Sequence, residues 1–188
     1  MKQQNRISTK KIVLVALMAA LTVVGSGLRI KVPASITGTS AFHLGNILCA
    51  LSGILLGPWW GGLAAGLGSA IYDMFDPIYI SECWLTFLMK GAYGIAAGLV
   101  AHSGKKEWHY VKATLASAAG AALYALLYLS KNYFKGLLVQ GLAPAAAMVG
   151  VVERLPATIF NAFVAIVFAP ILAVSIRTGL KRNHLSLE

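Results

Sequence analysis

The sequence predicts an all-α integral membrane protein with six transmembrane helices and both termini in the cytoplasm. Three observations predict it. Only 12% of the 188 residues are charged, against roughly 25% in a soluble domain, so charge cannot cover a globule of this size. Hydrophobic residues make up 58% and the mean hydropathy is +0.74. The basic residues gather at the ends of apolar runs rather than along one face, which is the pattern of membrane orientation.

A spanning helix needs about 20 mainly apolar residues, with roughly 17 to 25 tolerated. The first segment, residues 12–28, follows Lys2, Arg6, Lys10 and Lys11 and stops at Arg29 and Lys31. Its basic start resembles a secretory signal, but further membrane sequence follows Gly25-Ser26-Gly27, so it is read as the first helix. No charged residue occurs from Val32 to Tyr72, too long a run for one crossing. Gly57-Pro58-Trp59-Trp60-Gly61 breaks it: proline interrupts the hydrogen-bond ladder, glycine permits the turn, and indoles favour headgroup depth. The second and third helices are then 41–56 and 61–72. A polar stretch, Asp73 to Glu82, leads to a fourth helix at 84–101 and a charged connector from His102 to Lys112. The fifth helix is placed at 113–128, followed by a mixed segment with Lys131, Lys135 and the small residues 141–150. The sixth, 156–176, begins at Pro156, where a first-turn proline is tolerated. The whole chain, 1–188, is one membrane domain.

Six crossings put both ends on one side. The N-terminal tail, the connector and the C-terminal tail hold ten Lys or Arg, against five in the opposite loops (Arg29, Lys31, Lys131, Lys135 and Arg154). The richer side faces the cytoplasm. Small residues recur on helix faces: Gly62, Gly66 and Ala70; Gly91, Gly94 and Gly98; Ala118, Ala122 and Ala125. Packing within the chain explains these, because helices in lipid approach closely only through small side chains. Ala16 and Ala20, one turn apart with Ala19 alongside, form either another packing face or a docking patch for a second membrane subunit.

Polar groups at membrane depth demand a reason, since a central charge costs about 2.5–3.5 kcal/mol on insertion scales. Lys90 lies about 9 Å into the fourth helix at 1.5 Å per residue. It either snorkels to the outer interface or faces a wet cavity, with Asp73, Asp76 and Glu82 near enough in sequence to neutralise it. Asn161, Asn46 and His43 fall at the same outer depth, which favours a ligand pocket over scatter. Glu153 and Arg154 are either a surface ion pair or ligand contacts. Tyr72, Tyr79 and Trp84 ring the same level, as interface-belt aromatics or as stacking partners for a flat heterocycle.

The net charge of +10 suggests no nucleic-acid partner, given where the charges sit. Cys49 and Cys83 have no metal-ligand spacing, and no metal site is expected. Gly66-Leu67-Gly68-Ser69 is not a nucleophile elbow. Three of the four histidines, His102, His109 and His184, fall at the cytoplasmic edge, so no catalytic residue is assigned. There is no phosphate-cradling Gly-Lys-Ser/Thr loop, so the chain needs no cofactor of its own and any ATP must be hydrolysed by a partner.

Phe42-His43-Leu44-Gly45-Asn46, Leu56-Gly57-Pro58, the run from Gly61 to Ala70 with Asp73 after it, Thr86-Phe87 and Lys90-Gly91 together resemble the substrate-binding S-components of energy-coupling factor (ECF) transporters. The resemblance covers most of the chain from Ala16 to Ile176. It implies a six-helix bundle in a bacterial cell membrane with an outward vitamin pocket, a transmembrane coupling subunit and two cytoplasmic ATPase subunits as partners, and a toppling motion that carries the pocket inward. Ala16 and Ala20, with Ala19 alongside, are similar to the family's small-residue docking motif on the first helix, and that motif is carried by Ala16 and Ala20. Flavin-binding members use a lysine and an asparagine in the places of Lys90 and Asn161. The Trp and His cluster of thiamin-binding members is missing.

The expected function is capture of a water-soluble vitamin or precursor for ATP-driven uptake. The expected contacts are Lys90, Asn161, Asn46, His43, Tyr79, Trp84, Glu82 and Asp73. Hydroxymethylpyrimidine or pyridoxine leads, with pantothenate, riboflavin and folate behind. A stand-alone homo-oligomeric transporter or channel, and a small intramembrane enzyme, are the alternatives.

Overall fold

A computed structural model describes residues 8–34, 38–104 and 109–183. The basic residues Lys2, Arg6, Lys105 and Lys106, and His184, lie outside the described residues. Helix α1, Thr9–Gly27, starts after Ser8 in extended backbone. It gives way to a two-stranded antiparallel hairpin, β1 (Arg29–Ala34) and β2 (Gly38–His43), with Arg29 opposite His43 and Val32 opposite Ser40. The remaining elements are α2 (Gly45–Leu56), α3 (Pro58–Met74), a single 3-10 turn at Ile80–Glu82, α4 (Cys83–Ala101), α5 (Tyr110–Leu138), α6 (Pro144–Val152) and α7 (Leu155–Arg182).

Four helical stretches are long and apolar enough to cross a membrane: Thr9–Gly27, Ile80–Ala101, Tyr110–Leu138 and Pro144–Arg182. Helices α2 and α3, of 12 and 17 residues, are shorter. The expected all-α fold is corrected in two places. Residues 29–34 and 38–43 form the strands of the hairpin, because Arg29-Ile30-Lys31-Val32 alternates charged and apolar side chains with the period of a strand. The small-residue segment 141–150 is not a loop but contributes most of a seventh helix, α6. The fifth and sixth segments also run longer than expected, to Leu138 and Arg182.

The expected break between the second and third helices is present. Gly57 has φ +81°, a left-handed backbone that a side chain would strain, and Pro58 starts α3. Helices α2, α3 and α4 pack almost backbone to backbone. A methyl group added at Gly94 would lie 2.8 Å from the Gly61 carbonyl, and one at Gly62 would lie 2.9 Å from the Gly91 carbonyl. On α5 the buried small face is Ala113, Ala116, Ser117, Gly120 and Ala121 rather than the expected Ala118, Ala122 and Ala125, of which Ala122 is exposed. Ser117 of α5 donates to the Ala165 carbonyl of α7 at 3.0 Å, fastening these two helices to each other.

The bundle has two chemically different ends. At one, Lys11 approaches the Trp60 ring and His102 Nε2 bonds the Ile54 carbonyl at 3.0 Å. At the other end lie the hairpin, residues 73–82 and the α5–α7 connection. All four carboxylates of the described residues, Asp73, Asp76, Glu82 and Glu153, belong to this second end.

Candidate functional site

A cavity of about 140 Å³ opens at the second end, between the hairpin and helices α3, α4, α5 and α7. Its floor is Lys90. The side chain is 4% exposed, donates a hydrogen bond to Asn46 Oδ1, and stands 3.9 Å from the centroid of the Tyr124 ring. A neutral amide and a π-face are weak substitutes for a counter-ion. Asp73, Asp76 and Glu82 do not form the expected ion pairs with Lys90, because other cations hold them. Arg29 reaches Asp73 at 3.5 Å and Asp76 at 3.6 Å, and Lys31 reaches Asp76 at 2.8 Å. Lys131 and Lys135, four apart on α5, both pair with Glu82.

The strand pleat explains the first group. Arg29 and Lys31 are two apart in β1 and share a face, which turns toward residues 73–76. Arg29 also donates to the Ser26 carbonyl at 2.8 Å and stacks on Tyr72 at 4.0 Å. Burial raises the Asp76 carboxyl, but the Lys31 hydrogen bond, the Ile78 N–H and the charges of Lys31 and Arg29 outweigh it and hold the group below its ordinary value. His43 is pushed well below the ordinary 6.5 by burial and by the charges of Lys90 and Arg29, so its ring is neutral at physiological pH.

Asn161 lines the cavity and is 6% exposed. Its Oδ1 accepts from the His43 N–H at 2.9 Å and its Nδ2 donates to the Ala41 carbonyl at 2.8 Å. Both ends of the amide are therefore occupied by strand β2. Of the other expected site residues, His43, Asp73, Tyr79 and Glu82 line the cavity. Asn46 sits behind Lys90 and is 3% exposed. Trp84 is 60% exposed and lies off the lining. Arg154 is 2% exposed and lines the cavity, so of the two readings given for it the surface position does not hold.

Sequence reasoning passed over Thr39, Tyr124, Tyr128 and the cavity-facing role of Lys131 and Lys135. The Thr39 hydroxyl meets the Tyr79 hydroxyl at 3.0 Å, tying the hairpin to the loop before α4. Tyr93, Tyr124 and Tyr128 form a ladder of stacked rings with centroids 5.8 and 5.7 Å apart. The four-residue spacing of Tyr124 and Tyr128 was the available signal, since it puts two aromatic faces on one side of α5. Such a lining, with aromatic faces, amides and a buried cation, suits a flat polar ring system rather than an ion or a lipid tail. Among the described residues no group of His, Cys, Asp and Glu is placed to hold a metal.

On α1, Ala16 and Ala20 are exposed and Ala19 is buried at 7%. The outward small-residue patch thus consists of Ala16 and Ala20, while Ala19 packs inward.

An uncharacterised protein of Pyrococcus woesei, encoded in the region 3′ of gap, is 32% identical to this chain over 114 residues, covering 61% of this chain and 72% of that protein. Residues 6–178 match the family described as ECF-type riboflavin transporter, S component. Family membership makes the chain a multi-pass membrane protein that serves as the vitamin-type substrate-binding part of a transporter, a role without chemistry that S-components carry out together with a membrane coupling subunit and ATPases. A chain with apolar spanning helices, a polar aromatic cavity at one end and a match along nearly its whole length belongs to the S-component family of ECF-type riboflavin transporters.

Proposed function

We propose that this chain captures riboflavin from outside a bacterial cell and presents it, through a coupling membrane subunit, to two cytoplasmic ATPases that drive uptake. Six helices, α1 to α5 and α7, cross the membrane, with both termini in the cytoplasm. The cavity end then faces outward. The distribution of charge supports this orientation: the described residues of the opposite end include Lys10, Lys11, Lys112, Arg177, Lys181 and Arg182, the excess expected of a cytoplasmic face. Helix α2 is short because the cavity and hairpin occupy the outer part of its crossing.

The observation that carries the reading is Lys90, a buried cation on the floor of a cavity walled by tyrosines. A flavin ring offers carbonyl and ring-nitrogen acceptors for the ammonium group, and a flat π-surface for Tyr124 and Tyr128. Asn161 acts mainly by holding strand β2 in place, because its amide is engaged at both ends. His43, Tyr79, Asp73 and Glu82 complete the walls, and Asn46 orients Lys90 from behind. Ala16 and Ala20 supply the contact for the coupling subunit.

Quenching of flavin fluorescence on titration with purified protein tests the ligand. Riboflavin should saturate the signal at one site per chain, and pyridoxine, hydroxymethylpyrimidine, pantothenate and folate should fail to displace it at comparable concentration. Absence of riboflavin binding, together with ligand-induced thermal stabilisation by one of these, would replace flavin by that vitamin. Uptake into vesicles lacking any ATPase would instead favour a solitary transporter.

A further inference from the structure

We propose that a cleft at the end opposite the vitamin cavity binds the phosphate headgroup of an anionic phospholipid. The cleft, of about 240 Å³, lies between the start of α5 and the last turns of α7 and is lined by His109, Tyr110, Val174, Arg177, Thr178 and Lys181.

Its depth is the first reason. On α7 no charged residue occurs in the 22 positions from Leu155 to Ile176, and on α5 none in the 18 from Ala113 to Ser130. At about 1.5 Å per residue these runs span about 33 and 27 Å, close to the hydrocarbon thickness of about 30 Å. Arg177 follows the end of one run and Tyr110 precedes the start of the other, so the cleft falls where lipid phosphates lie. Tyr110, 49% exposed, is the kind of amphipathic ring that prefers this level.

Its chemistry is the second. Arg177 and Lys181 are one turn apart on α7 and present a planar and a point cation on one face of the helix. They stand across the cleft from His109 and the first turn of α5, the positive end of a 29-residue helix. A phosphodiester fits between these donors, with Val174 forming an apolar wall. Basic pockets between helices at a membrane face hold lipid headgroups in this manner.

Native mass spectrometry of the wild-type protein, released from an equimolar mixture of phosphatidylglycerol and phosphatidylcholine, reads the preference directly. Phosphatidylglycerol should be retained over phosphatidylcholine by about thirtyfold, the equivalent of about 1 kcal/mol for each of the two cations. The double substitution Arg177→Gln with Lys181→Gln should abolish that preference while leaving vitamin binding at the other end unchanged, which also reports that the variant folds. Inorganic phosphate at the same concentration should not displace the lipid. Equal retention of the two lipids by the wild type would overturn the proposal, as would an undiminished preference in the folded double variant. Full displacement by inorganic phosphate would overturn it too, marking a small-anion site.

Discussion

Lys90 sets the energetics of the cavity. Burying an ammonium group without a carboxylate is tolerable only because Asn46, the Tyr124 ring and whatever fills the cavity share its charge. Hydrogen bonds to a charged group contribute about 1.5–3 kcal/mol. Lys90→Met, which keeps the stem and deletes the charge, should therefore weaken riboflavin binding about tenfold to a hundredfold in a fluorescence titration while raising thermal stability in the absence of vitamin. Unchanged affinity would remove Lys90 from the ligand's contacts. Asp76 works in the opposite sense, because its lowered pKa makes the ionised form the stabilising one. Its contribution is fully present above the ordinary value of 3.8 and is lost as pH falls through the lower folded value. His43, also lowered, adds a loss that begins earlier, below its ordinary 6.5, where the unfolded chain takes up a proton that the folded chain refuses. Thermal unfolding followed from neutral to acid pH should show a first decline in that region and a second one below the carboxylate value. Asp76→Asn should flatten the second decline.

At the level of elements, the hairpin and the glycine-packed helices answer to different forces. The hairpin is held by a few polar ties: Arg29 and Lys31 to Asp73 and Asp76, Thr39 to Tyr79, and the Asn161 amide to strand β2. Asn161→Leu leaves the His43 N–H and the Ala41 carbonyl without that partner, at a cost of about 1–3 kcal/mol for each buried group left unsatisfied. Amide hydrogen exchange in residues 38–43 should quicken in this variant, and ligand affinity should fall through disorder of the strand rather than loss of a contact. Slow exchange combined with lost affinity would instead make Asn161 a direct ligand group. In α2, α3 and α4 van der Waals contact between backbones dominates. Gly94→Ala drives a methyl group into the Gly61 carbonyl and should lower stability by about 1–3 kcal/mol, visible as a reduced melting temperature with ligand stoichiometry intact.

For the whole molecule, the separation of charge between the two ends becomes a matter of sidedness. Cysteine placed at the exposed Gln140, near the cavity end, should react with an impermeant maleimide added to intact cells, in a background where Cys49 and Cys83 are replaced by serine or alanine. Cysteine at the exposed Ser103 should react only after permeabilisation. The reverse pattern would invert the orientation and place the vitamin cavity in the cytoplasm. Docking belongs to the same scale. Bulky residues at Ala16 and Ala20 should abolish co-purification with a coupling subunit and leave vitamin binding untouched, because both side chains face away from the bundle while the cavity lies beyond the other end of α1.

By itself the sequence determined the features that composition and run length dictate. The shortage of charge demanded a bilayer, Gly57-Pro58 demanded a break, and the glycine faces of α3 and α4 demanded close packing; each is a local or additive property that needs no knowledge of neighbours. Depth along a helix likewise brought Lys90, His43 and Asn161 to one level, since rise per residue is nearly constant. Only the tertiary structure decided which partners each polar group takes. Three carboxylates near Lys90 in sequence pair instead with Arg29, Lys31, Lys131 and Lys135, because the pleat of β1 and one turn of α5 bring those cations closer. Trp84, level with the cavity, points away from it, and Tyr124 points in. Depth is a one-dimensional quantity that the chain carries in its spacing, whereas the direction a side chain faces depends on how helices rotate against one another, and that is set by contacts between residues far apart in the chain.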